Sequence, residues 1–163
     1  MEKQVNTSVP STNKFSHDVT FLKSLRVLCV EDDDDTREQL SLFLPRYTGE
    51  LVIAGNGEEG LSAYHARKPD IIITDIQMPI MDGLAMTREI RNSNRNIPII
   101  ALTAYDQSDN LTKAADAGID SFVTKPIDLY TLVDLLHVCA DRLLMDKMLS
   151  WNDRISDDDR SPF

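Results

Sequence analysis

Five short apolar runs, set between longer amphipathic segments, constrain this chain more than any other feature. They are Arg26 to Val30, Leu51 to Ala54, Asp70 to Thr74, Pro98 to Leu102 and Ser121 to Thr124. Each has the length of a strand, and most are rich in valine and isoleucine, the side chains of strands buried on both faces. Between them apolar residues recur at helical spacing, near Thr36 to Arg46, Gly57 to Ala66, Gly83 to Arg91 and Gln107 to Ala117. A last helix begins near Leu129, with Asp128 as its N-cap, and Gly118 stands where the preceding helix needs a C-terminal cap. Such alternation predicts an α/β fold, a parallel sheet with helices on both faces and right-handed crossovers. Ile71-Ile72-Ile73 is the most continuously apolar stretch, which places the third strand at the sheet centre.

The 163 residues suit one domain with tails. Residues 1–22, rich in Ser, Thr, Asn and Lys, read as a flexible tail. Residues 23–145 form the domain, and residues 146–163 a helix extension that becomes disordered from Asp157. In the last helix Leu129, Leu132, Val133, Leu136, Cys139 and Leu143 form a set that packs on the sheet. A second set, Leu135, Val138, Met145 and Leu149, is expected to lie exposed, on a frayed C-terminal helix, a linker helix or a helix that pairs in a homodimer.

The formal net charge of −10 argues against direct nucleic-acid binding. No apolar stretch approaches the roughly 20 residues of a membrane span, and the N-terminus lacks the apolar core of a signal peptide. Cys29 and Cys139 have no metal-ligand spacing. Cys29 reads as a buried thiol, which suits the expected cytoplasmic location. His17, His65 and His137 are isolated and read as surface or packing residues.

In a parallel α/β sheet, ligands bind beyond the carboxyl ends of the strands. Glu31 and Asp32 follow the first strand, Asp75 the third, Thr103 the fourth and Lys125 the fifth. Only the second strand offers no candidate. Three carboxylates brought together repel one another, and a divalent cation with Lys125 brings the local charge to zero. Oxygen ligands favour Mg²⁺ or Mn²⁺, which recruit phosphate oxygens. The set therefore suits a phosphoryl group. Asp75 is the best candidate nucleophile, and Lys125 and Thr103 are placed to contact the transferred oxygens. Asp33, Asp34 and Asp35 read as helix N-terminal acids, and Asp82-Gly83 as turn and helix entry.

The segments Val30-Glu31-Asp32-Asp33, Thr74-Asp75-Ile76-Gln77-Met78-Pro79-Ile80-Met81-Asp82-Gly83, Ala101-Leu102-Thr103-Ala104 and Lys125-Pro126 resemble those of response regulator receiver domains in order and spacing. The resemblance covers roughly residues 24–145. It implies a five-stranded flavodoxin-like sheet of order 2-1-3-4-5. It also implies that Asp75 accepts a phosphoryl group from a histidine kinase or histidine phosphotransfer protein. Mg²⁺ would be held by Asp32, Asp75, the backbone carbonyl of Gln77 and, through water, Glu31. The Lys125–Pro126 bond is similar to one that is cis in the family. Thr103 and Phe122 stand at the switch positions, coupled to the fourth helix, fifth strand and fifth helix. Phe122 has no hydroxyl, so no hydroxyl hydrogen bond contributes to that switch. Gln77 and Tyr105 are at positions linked to dephosphorylation rate.

Two other functions remain open on the residues. A haloacid-dehalogenase-like phosphatase also forms an aspartyl-phosphate, but it resembles Asp-x-Asp, where this chain has Asp75-Ile76-Gln77. A phosphorylation-independent interaction module is the other. Degenerate receivers lose the acidic pair or the lysine, and this chain retains both. The residues after the domain are too few for a DNA-binding or cyclase domain. The chain is expected to be a stand-alone regulator or a fragment of a longer one, with an unknown output partner.

Overall fold

The computed structural model describes residues 19–104 and 108–158. Five strands form one parallel sheet: β1 Arg26–Val30, β2 Glu50–Ala54, β3 Ile71–Asp75, β4 Ile99–Ala104 and β5 Ser121–Lys125. Their order is β2-β1-β3-β4-β5, with β3 central and every one of its residues buried. This is the flavodoxin-like order and the central placement expected from the sequence. The helices are α1 Val19–Leu22, α2 Asp34–Phe43, α3 Gly57–Arg67, α4 Gly83–Ser93, α5 Ser108–Ala117 and α6 Leu129–Asp158. Pro45 follows α2 and the chain tightens into a 3₁₀ turn over Leu44–Arg46, since proline supplies no amide to continue an α-helix.

Alternation along the strands divides the core in two. Leu28, Val30, Ile72, Ile99 and Ala101 face α3, α4 and α5. Val27, Cys29, Ile71, Ile73, Ile100 and Leu102 face the other way, toward α1, α2 and α6. Burial pushes the Cys29 thiol up to about 12 and that of Cys139 to about 11, so both stay protonated at neutral pH.

Local sequence explains the helix ends. Asp33, Asn56 and Asp82 cap α2, α3 and α4, each accepting a backbone N–H three residues on. Gly118 follows α5 with φ +101°, a conformation only glycine adopts freely. Its carbonyl accepts from Arg91, whose guanidinium also reaches Asp120 and thereby ties α4 to the start of β5.

The described residues place helix within both expected tails. The tail expected over residues 1–22 includes the helical turn α1, and Leu22 is 0% exposed within the core formed with α6. Apolar burial against a helix remote in sequence overrides the polar composition around it. At the other end, the polar sequence predicts disorder from Asp157, yet α6 continues to Asp158. Residues 159–163 lie outside the described residues, as do His17 and Tyr105. Of the second apolar set, Val138, Met145 and Leu149 are exposed, but Leu135 is half-buried and packs on the core.

Leu22→Ala is expected to destabilise the domain by about 2–5 kcal/mol, the cost of deleting a fully buried leucine side chain. Denaturant unfolding measures it. A change near zero would return residues 19–22 to the tail.

Candidate functional site

The carboxyl ends of β1, β3, β4 and β5 meet at one edge because the register is tight. Val30 pairs with Thr74, Asp75 with Leu102, and Ala104 with Lys125. The residues following each strand therefore share one rim. Glu31, Asp32 and Asp75 each offer a carboxylate oxygen within 4.8 Å of the others. Lys125 Nζ lies 3.1 Å from Asp75 Oδ2 and 3.0 Å from Glu31 Oε2. A cavity of about 150 Å³ opens beside them, lined by Asp75, Ile76, Gln77, Thr103, Ala104 and Lys125.

Thr103 is buried, and its hydroxyl donates a long 3.3 Å bond to the Ala104 carbonyl. Gln77 is exposed at the cavity wall. The Lys125–Pro126 peptide is cis. Among the described residues of the predicted set, Phe122 stands apart. It is half-buried on β5 and packs against the core on the α4 and α5 side.

The electrostatics follow from burial. Glu31 is 0% exposed, and that desolvation raises its pKa, with the Asp75 carboxylate adding to the rise. The Asp33 amide, 3.1 Å from Glu31 Oε1, and the Lys125 ammonium work the other way. Burial also opposes the charge on Lys125, but the Glu31 and Asp75 carboxylates outweigh it, and the net shift is upward. Lys125 is thus held as a cation. One ammonium against three carboxylates leaves excess negative charge, and the buried Glu31 Oε2 meets only that same ammonium, at 3.0 Å. An all-oxygen donor set with unspent negative charge fits a hard divalent cation.

Several supporting residues were not visible in the sequence. Arg37 donates to the carbonyls of Glu31 and Asp32, at 2.9 and 3.2 Å, and so fixes the acidic loop from one turn into α2. A basic residue six positions after an acidic pair carries no recognisable signal. Gly83 allows α4 to approach β3, since a Cβ there would lie 2.0 Å from the Asp75 carbonyl oxygen. Gly57 is similar, with a Cβ 2.4 Å from the Met81 carbonyl oxygen. Asp82-Gly83 is turn and helix entry as expected, and the glycine is also a spacing requirement of the site. Between these points Ile80 adopts φ 73°, a left-handed conformation that is strained for a β-branched side chain, and it is 74% exposed.

The family model of the response regulator receiver domain matches residues 27–137. The chain belongs to that family. It is therefore a receiver domain of two-component signalling. Response regulator MprA of Mycobacterium ulcerans is 38% identical over 125 residues, covering 76% of this chain and 53% of the relative. Transcriptional regulatory protein CseB of Streptomyces avermitilis is 37% identical over 116 residues, covering 71% and 49%. The receiver thus spans about half the length of these curated relatives. Among solved structures, the N-terminal domain of an uncharacterized protein from Wolinella succinogenes superposes with a TM-score of 0.71 at 35% identity, covering 76% of this chain and 99% of that one. No helix among the described residues of the receiver is long and apolar enough to cross a membrane.

Gly83→Ala is expected to displace the Asp75 backbone and to cost about 1–3 kcal/mol, as overpacking does. Urea unfolding checks it, with the denaturation midpoint lowered at unchanged slope.

Proposed function

We propose that this receiver is a phosphorylation switch in which Asp75 accepts a phosphoryl group from a phosphohistidine donor. The observation that carries the proposal is the placement of Asp75. It sits at the end of the central strand, 3.1 Å from the Lys125 ammonium and within 4.8 Å of two further carboxylates. A carboxylate oxygen of Asp75 attacks phosphorus, the bond to the donor imidazole breaks, and the imidazole leaves as the neutral ring after taking up a proton. Lys125 holds one transferred oxygen by charge, and the Thr103 hydroxyl turns from the Ala104 carbonyl to donate to another. A bound Mg²⁺, held by Asp32, Asp75 and the Gln77 carbonyl with Glu31 reaching it through water, would neutralise the remaining phosphoryl charge. Mn²⁺ suits the same donors.

The weak Thr103 bond and the half-buried Phe122 support a coupled movement. Drawing Thr103 toward the phosphoryl group vacates space near β4, and Phe122 turns inward on β5. The face formed by α5, β5 and α6 then presents the signal. The donor is a histidine kinase or histidine phosphotransfer protein, the partner class of response regulators. The net charge of −10 disfavours DNA binding by this segment itself.

Incubation with acetyl phosphate and Mg²⁺, followed by intact-protein mass spectrometry, is expected to give one phosphoryl group per chain. Asp75→Asn and chelation of the metal should each abolish it. Sustained hydrolysis without an adduct would favour the phosphatase, and no adduct at all would favour a phosphorylation-independent module. Gln77→Ala is expected to leave the extent of phosphorylation intact and to change the decay rate of the adduct. An unchanged lifetime would remove Gln77 from the hydrolytic step.

A further inference from the structure

Helix α6 runs for 30 residues, about 45 Å. Its first half buries Leu132, Leu136, Cys139 and Ala140 against the sheet. That contact ends at half-buried Leu143, yet the helix continues to Asp158, about four more turns. On the side turned away from the sheet, Val138, Met145, Met148, Leu149, Trp151 and Ile155 are each more than half exposed. At 3.6 residues per turn these six fall within about 160° of arc. Monomeric proteins rarely leave so continuous an apolar stripe open to water.

The stripe has a heptad spacing. Val138, Met145 and Asn152 recur every seventh residue, and Met148 and Ile155 follow at the second apolar position of the same repeat. Leu149 and Trp151 flank that seam. From Leu144 to Ile155 the charged residues are Asp146, Lys147, Asp153 and Arg154, and all lie outside it. Lys147 is turned over the Phe21 ring of α1, 5.2 Å from its centroid. Among the described residues, α1 therefore covers a neighbouring flank of α6 and leaves the stripe open.

We propose that this stripe is a dimer interface, in which the α6 helices of two copies of the chain form a short parallel coiled coil. Three observations select a second copy as the occupant. The positions flanking the seam from Leu144 to Ile155 carry no charge, so nothing there repels an identical helix. Asn152 occupies a core position where it meets its own copy only in parallel register, the arrangement a lone asparagine specifies. At roughly 100 Å² of exposed surface per side chain, the six residues of two copies present about 1,200 Å², the lower bound of a specific interface. Because the stripe faces away from the sheet, the two domains sit on the outer sides of the pair without collision.

Sedimentation of the full chain across the micromolar range tests this. A dimer is expected, and Met145→Glu with Met148→Glu should weaken association about tenfold or more, while thermal unfolding at concentrations where both proteins are monomeric stays unchanged. Asn152→Cys should crosslink to its own copy on mild oxidation, and Ser150→Cys, on the opposite face, should not. Cys29 and Cys139 are buried and add no background. A wild-type monomer throughout, a dimer untouched by the double substitution, or equal crosslinking at both cysteine positions would each overturn the proposal.

Discussion

A carboxylate buried without access to water governs the rest of this structure. Glu31 is fully enclosed; burial raises its pKa, and the Asp33 amide and the Lys125 ammonium oppose that rise. Taking a carboxylate out of water costs several kcal/mol unless partners replace the solvent. Those partners come from the same loop, two residues on, and from β5 at the edge of the sheet. The same ammonium serves Asp75, so the ends of β1, β3 and β5 are held to one another by a shared charge requirement. The excess of negative charge that remains makes the rim receptive to a cation and to a phosphoryl group that brings one.

A site of this kind demands backbones closer than side chains normally allow. Gly83 lets α4 begin against the Asp75 carbonyl, and Gly57 lets α3 begin against that of Met81. The loop between β3 and α4 is thereby clamped at two points, and Ile80 takes up the resulting turn in a left-handed conformation. Arg37 performs the corresponding task for the acidic loop, donating to the carbonyls of Glu31 and Asp32 and pairing with the Asp34 carboxylate. The reactive groups are thus positioned by backbone contacts as well as by the ion pairs of Lys125 with Glu31 and Asp75.

Helix α6 combines two surfaces that a shorter helix could not carry. Its early turns complete the core, and its later turns expose a stripe on the other side. The cation–π contact between Lys147 and Phe21 shows that α1 steadies the helix beyond the sheet's edge. The receiver therefore has a rigid lever rising from the face that the phosphorylation switch is proposed to remodel.

Much of this was legible along the chain. Strand and helix positions followed from periodicity, because each residue's burial within an element depends on neighbours two to four positions away. Asp32, Asp75, Thr103 and Lys125 were readable because every strand of a parallel sheet ends on the same side. A three-dimensional question is thereby reduced to the identity of the residues just after each apolar run. Tertiary structure alone decided the burial of Leu22. It also decided the anchoring by Arg37, the approach at Gly83 and the separation of Phe122 from the acidic cluster. These depend on packing between segments remote in sequence, such as the 50 positions that separate Lys125 from Asp75. Local propensity carries no record of which remote groups will touch, since that is settled only when the whole core closes.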